Sequence, residues 1–185
     1  EGYELVAGVD EAGRGCLAGP VFAAAVLFPA GRTLPGIRDS KQLSPERRDE
    51  LLEAIRERAL AVEVAHVPPA EIDRLNILQA ALKAMQTACD ALEPQPDYLL
   101  IDGNRSFSTL VPHEAIVGGD DRSHAIGAAS IVAKVERDRH MVALAEEFPE
   151  YGWARHKGYP TAQHYEAIAE HGVSPHHRRS FRLER

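Results

Sequence analysis

The chain has 185 residues, 44% hydrophobic and 26% charged, with a net charge of −7. A chain of this length buries about 70% of the surface it exposes when unfolded, so its core needs neither disulfides nor structural zinc. Two cysteines in unlike contexts, Cys16 and Cys89, exclude a disulfide scaffold or a cysteine-paired zinc site. The longest apolar stretch, residues 16–28, is shorter than the ~20 residues a membrane helix requires. The acids before it exclude a signal peptide, and a soluble cytoplasmic protein is expected.

In chain order, residues 5–9 and 21–28 read as two strands joined by the loop 11–20. Ser44-Pro45-Glu46 is a helix start, with a hydroxyl cap, proline in the first turn and an acid beside it. Leu51, Leu52 and Ile55 share one face of the helix that follows. Residues 61–67 alternate as a third strand, and Leu75, Leu78, Leu82 and Met85 then recur at helical spacing. Residues 98–101 read as a buried strand ending in Asp102-Gly103-Asn104, and 115–117 as a fifth ending in Gly118-Gly119-Asp120. Helices are expected over 123–148 and 161–170, the last stopped by Gly172. With no repeat or linker, this pattern predicts one α/β domain over residues 1–185 with a mixed sheet.

The acids occupy telling positions. Asp10-Glu11, Asp102 and Asp120 each follow a predicted strand, and ligands of α/β sheets bind outside the carboxyl ends of strands. Four converging carboxylates repel one another unless cations neutralise them, and oxygen donors alone favour Mg²⁺ or Mn²⁺. Two such ions about 3.5–4 Å apart cleave phosphodiesters in line. Against this, Asp and Asn are common in any turn after a strand, and that bland account serves for each acid taken singly. In Gly13-Arg14-Gly15, the glycines let backbone amides approach a ligand while the arginine supplies a positive donor. The loop matches neither the dinucleotide fingerprint nor a Walker A sequence. The acidic total argues against loose nucleic-acid binding. Residues 151–185, however, hold six basic and three acidic residues and five of the nine histidines, which allows a local basic strip.

A set of motifs carries a resemblance. Asp10-Glu11-Ala12-Gly13-Arg14-Gly15, Asp39-Ser40-Lys41, Leu75-Asn76-Ile77, Ile101-Asp102-Gly103-Asn104 and Gly119-Asp120 come first. Ala128-Ala129-Ser130-Ile131-Val132-Ala133-Lys134-Val135 with Arg137-Asp138, His156-Lys157-Gly158-Tyr159-Pro160 and His176-His177-Arg178-Arg179-Ser180-Phe181 follow. Running in this order from residue 10 to residue 181, they resemble bacterial ribonuclease HII. The resemblance implies a ribonuclease H-like fold, a mixed five-stranded sheet flanked by helices, with residues 151–185 a small helical segment that contacts substrate. It implies metal-dependent hydrolysis of the RNA strand of RNA/DNA hybrids. Incision on the 5′ side of a single ribonucleotide in duplex DNA, leaving 3′-hydroxyl and 5′-phosphate, is implied as well.

By the same resemblance, Asp10, Glu11, Asp102 and Asp120 hold two Mn²⁺ or Mg²⁺ ions and are catalytic. Gly13, Arg14 and Gly15 read the ribose 2′-hydroxyl, Tyr159 stacks on the sugar at the RNA–DNA junction, and Ser40 and Lys41 contact substrate. The expected partners are RNA/DNA hybrid and ribonucleotide-containing duplex DNA, bound by a monomer with no membrane. Asp138, between Arg137 and Arg139, reads as an ion-paired helix residue rather than a ligand. Where the family has Lys-Gly-Asp, this chain has Gly118-Gly119-Asp120, which removes a positive charge. A longer C-terminal extension is expected to be absent or trimmed. The resemblance favours phosphate contact by Lys41 and Lys157. By composition, His156, His176 and His177 read either as metal ligands or, with Arg178 and Arg179 nearby, as part of a basic phosphate-contacting or structural segment. Cys16 is expected to be a small buried residue and Trp153 a core or subdomain anchor. A ribonuclease HIII-type enzyme and a non-catalytic Mg²⁺-binding domain are the alternatives.

Overall fold

The computed structural model describes residues 2–37 and 43–184. Ser40 and Lys41, expected to contact substrate, lie outside the described residues. Five strands, β1 (Leu5–Ala12), β2 (Val21–Pro29), β3 (Ala61–Val67), β4 (Tyr98–Asp102) and β5 (His113–Ile116), form one sheet in the order β3-β2-β1-β4-β5. The β3-β2-β1 side is antiparallel, and β4 and β5 add in parallel, so the expected mixed five-stranded sheet is present.

Helices cover both faces. On one face lie α2 (Pro69–Leu75) and α3 (Ile77–Asp90), packed on Ala7, Val9, Val21, Ala23, Ala25 and Leu27. On the other, α1 (Pro45–Arg58) and α5 (His124–Glu147) pack on Ala24, Val26 and Phe28. Strand β2 is therefore buried on both sides, the physical reason it reads as an unbroken apolar run. Gly8 lets α5 approach β1 closely, because a Cβ at this position would collide with the Ala125 backbone. The remaining helices are α4 (Gly119–Arg122), α6 (Trp153–His156) and α7 (Ala162–His171).

Several boundaries differ from the sequence reading. The single helical stretch expected around Leu75 to Met85 is two helices. Asn76 interrupts it at φ 71° and restarts it by accepting from the Gln79 amide at 3.1 Å. Strand β5 spans 113–116 rather than 115–117, and Asp120 lies in the first turn of a short helix that turn residues had disguised. Helix α6 was likewise not foreseen.

The C-terminal segment is built around Trp153, which is fully buried, as an anchor should be. The indole Nε1 donates to His164 Nε2 at 3.0 Å, and His177 Nε2 lies 3.1 Å from the same atom. His164 Nδ1 donates to the Tyr159 carbonyl at 3.0 Å, while His177 Nδ1 accepts from the Ser174 amide and hydroxyl at 3.0 and 2.9 Å. One assignment satisfies every atom, with both rings neutral and His177 donating to His164. Burial pushes both imidazoles down from 6.5 to about 4.

Their depressed values mean that the unfolded chain binds more protons in this window, so stability rises with pH there. Stability is expected to be complete above about pH 6.5 and to fall as the pH drops toward 4. Thermal melts over that range, recorded in an Asp10→Asn background to remove an opposing carboxylate, would show it. A flat profile would mean that the pair is not held neutral.

Candidate functional site

Asp10 sits near the end of β1, in the centre of the sheet, and is 5% exposed. Its Oδ1 accepts from the Glu11 amide at 2.7 Å, and Ser130 on α5 hydrogen-bonds to the same carboxylate. Burial, then the neighbouring charges of Glu11 and Asp102, push its carboxyl well above the usual range. Glu11 is also raised by burial, against the pull of Arg14, whose guanidinium lies 3.2 Å from Glu11 Oε1. Strand β4 pairs in parallel with β1, and this pairing sets Asp102 beside the other two acids.

Asp120 arrives by a different route. Asp102 Oδ1 accepts from the Gly119 amide at 2.7 Å, tying the start of α4 to the end of β4. The next residue, Asp120, is 3% exposed. Gly119 is required by this approach, since a Cβ there would lie 3.3 Å from Asp102 Oδ1 and closer still to Ile126. The structure thus brings Asp10, Glu11 and Asp102 into electrostatic contact and ties the helix bearing Asp120 to Asp102. Among the described residues, no three His, Cys, Asp or Glu side chains are gathered into a formed metal cage.

A cleft of about 270 Å³ opens beside Glu11, lined by Glu11, Ala12, Gly13, Arg48, Ser130, Ile131, Lys134 and Tyr159. The loop residues Arg14 and Gly15 are exposed at its rim. Tyr159 is 39% exposed, with Lys134 Nζ 5.5 Å and Arg137 Cζ 5.9 Å from its ring centre. Cys16 is buried as expected and lies near the tyrosine. The two loop glycines differ. Gly13 has φ 91° and a Cβ there would collide with Arg137, whereas Gly15 has open space around it. Gly15 is open in its Cβ direction, whereas Gly13, which lines the cleft, makes room on its other side for the protein's own arginine.

Three cleft residues had been given no role from the sequence: Arg48, Ser130 and Lys134. The signal was available for two of them. Ser130, Lys134, Arg137 and Asp138 recur at helical spacing in a stretch otherwise rich in alanine and valine. Lys157, by contrast, lies in an adjoining groove with Arg48 and Asp138, and its carbonyl accepts from Arg137. His156 and His177 are buried in the Trp153 network, which favours the structural over the phosphate-contacting account for both.

Asp138 is ion-paired as expected, with Lys134 Nζ 2.7 Å from its Oδ1. Such an i,i+4 pair is worth about 0.3–0.5 kcal/mol. Asp138→Asn is therefore expected to leave the RNA/DNA-hybrid cleavage that the motif resemblance implies within about threefold of wild type. A folded variant with a hundredfold loss would move Asp138 into the catalytic set.

Comparison with known proteins places the geometry in context. The family model described as Ribonuclease HII matches residues 7–184. A ribonuclease HII of Salinibacter ruber is 53% identical over 189 aligned positions, covering 100% of this chain and 94% of the relative. Ribonuclease HII 1 of Methylibium petroleiphilum is 57% identical over 178, covering 96% and 90%. The crystal structure of ribonuclease H2 from Pyrococcus horikoshii OT3 superposes with a TM-score of 0.82 at 27% identity, covering 97% of this chain and 94% of that one.

Proposed function

The chain belongs to the ribonuclease HII family of endoribonucleases, and from that premise we propose that it incises the 5′ side of a ribonucleotide embedded in duplex DNA, as well as the RNA strand of RNA/DNA hybrids. The observation that carries this reading is the buried Asp10 carboxylate, held near the charges of Glu11 and Asp102, with Glu11 lining a cleft that also has basic and aromatic side chains. Three acids held together without a compensating partner of equal charge need cations. A donor set made only of carboxylate oxygens fits Mg²⁺ or Mn²⁺. The residues proposed to hold two such ions are Asp10, Glu11, Asp102 and Asp120. When bound, the ions would supply Lewis-acid stabilisation and an activated water for in-line displacement of the 3′-oxygen.

The chain's own residues do the rest. Ser130 and the Glu11 amide hold the Asp10 carboxylate in one orientation, which lowers the reorganisation needed when a cation binds. Lys134 and Arg48 offer positive charge to the substrate backbone along the opposite wall. The Gly13-Arg14-Gly15 loop is proposed to read the 2′-hydroxyl, the group that distinguishes RNA from DNA within a duplex. Tyr159 is proposed to stack on the following sugar, its backbone carbonyl held by His164 and its ring flanked by Lys134 and Arg137. Residues 151–185 would then belong to the same domain and contribute one wall of the site.

The test is nicking of a duplex containing one ribonucleotide, with Mn²⁺ or Mg²⁺ and with chelator. Cation-dependent incision leaving a 3′-hydroxyl and a 5′-phosphate is expected. Cleavage that ignores the ribonucleotide, or proceeds in chelator, would defeat the proposal.

A further inference from the structure

Two arginines, Arg137 on α5 and Arg178 near the C-terminus, are fully buried at 0% exposure. Among the described residues neither lies within ion-pair distance of a carboxylate. Burying an unpaired cation is costly unless its donors are all well used. Here they are used on backbone. Arg137 donates to the carbonyls of Pro20, Lys157 and Ala18 at 3.1, 3.0 and 3.2 Å. Arg178 donates to the carbonyls of Gly19, Arg14 and Gly13 at 3.0, 2.8 and 2.7 Å. Five of these six acceptors belong to the loop between β1 and β2. Burial lowers Arg178 only to about 10, so it stays charged at neutral pH.

The consequence follows from peptide geometry. The peptide bonds on either side of Arg14 are trans, so each carbonyl points opposite to the N–H of the next residue. Anchoring the carbonyls of Gly13 and Arg14 to the buried Arg178 turns the amides of Arg14 and Gly15 outward, to the side where both residues are exposed. Gly13 admits Arg137 from beneath, as its missing Cβ requires, and Gly15 leaves the outer face bare. The segment bearing Arg178 is itself held in register. Arg178 N donates to the Leu17 carbonyl at 2.8 Å, and Asp73 on α2 accepts from the amides of Arg179 and Ser180 at 3.0 and 2.9 Å.

We propose that Arg137 and Arg178 are positioning residues for ribose recognition: they clamp the 13–20 loop by its carbonyls and so hold the Arg14 and Gly15 amides aimed at the 2′-hydroxyl. The assignment rests on the reading of this loop given above. Arginine is required because a planar fork can serve three carbonyls at once, whereas the compact ammonium of lysine cannot keep the same three in one plane.

The test compares cleavage of duplexes carrying either a ribonucleotide or its 2′-fluoro analogue, which keeps the size but accepts hydrogen bonds poorly. One hydrogen bond accounts for up to about tenfold in discrimination. Wild type is expected to show a penalty of about that size or more. In Arg178→Lys and Arg137→Lys the penalty should shrink to about twofold, because the hydroxyl would no longer be read. An unchanged penalty in folded variants would overturn the assignment, since a merely structural role slows both substrates alike. A wild-type protein indifferent to the 2′-group would instead overturn the loop reading and the assignment with it.

Amide exchange supplies a readout independent of cleavage. In Arg178→Lys, residues 13–20 are expected to exchange at least about tenfold faster while β1 stays protected. Equal acceleration in both, or none, would also overturn the proposal. Should neither lysine variant fold, Asp73→Ala, which loosens the Arg178 segment from outside, should reduce the 2′-fluoro penalty in the same direction. No reduction there would decide against it.

Discussion

Asp10→Asn is expected to lower cation-dependent cleavage by about a thousandfold and, at the same time, to raise the melting temperature of the metal-free protein. The first effect follows from the proposed role of Asp10. Lewis-acid stabilisation is worth several kcal/mol, and each 1.36 kcal/mol is about tenfold in rate. The second follows from the structure alone. Burial and the charges of Glu11 and Asp102 raise the Asp10 carboxyl in the folded state. A raised acid contributes stability below its ordinary value and loses it as pH rises through the folded value. Above the ordinary carboxylate range the folded state therefore carries a cost at Asp10, which the neutral amide removes.

Removing about 1 kcal/mol of repulsion would raise the melting temperature by about 2–4 °C in a domain of this size. The gain should fade toward pH 4. Millimolar Mg²⁺ should stabilise wild type by linkage and stabilise the variant less. A variant that retains a tenth of wild-type cleavage would end the metal-site assignment, and one that melts lower would end the repulsion argument.

Tyr159→Ala is expected to cost about 10–100-fold in kcat at a single ribonucleotide in DNA, with KM changed much less. Base–aromatic stacking is worth about 1–3 kcal/mol, which sets the range. Reading the hydroxyl by binding alone supplies at most about tenfold, so strong selectivity needs the junction held in line with the acids. Tyr159 is suited to that task because its side chain is half-exposed while its backbone is fixed at two points. The His156 carbonyl accepts its amide at 2.9 Å, and His164 holds its carbonyl. A continuous RNA/DNA hybrid offers many equivalent phosphates and should suffer less. Steady-state kinetics on both substrates decides the matter. Equal losses would reduce Tyr159 to a packing residue.

Much of the scaffold is legible from local pattern. Strand β2 announces itself as an apolar run buried on both faces, and α1 by Ser44, whose side chain accepts from the Arg47 amide as a cap should. Misreadings cluster where one residue overrides a periodic pattern. Asn76 adopts a left-handed conformation between two stretches that share an apolar face, so the break leaves the spacing nearly intact. The turn chemistry of Gly118-Gly119-Asp120 hid a helix of four residues, too short to show a period.

By itself, the sequence determined the order of the strands, the oxygen-only chemistry of the acids at their ends, and the family, because these depend on residue types at fixed local spacing. Only the tertiary structure decided which glycine has open space around it and which makes room for a buried arginine. It also decided that the C-terminal basic segment turns one of its arginines inward, and that Ser130, Arg48 and Lys134 complete the cleft. Sequence cannot rank these. A guanidinium reads as surface charge until the carbonyls that enclose it are known, and those of Gly13 and Arg14 lie more than 160 positions away from Arg178 along the chain. Long-range backbone hydrogen bonds leave no period in the sequence, so the loop's rigidity belongs to the fold.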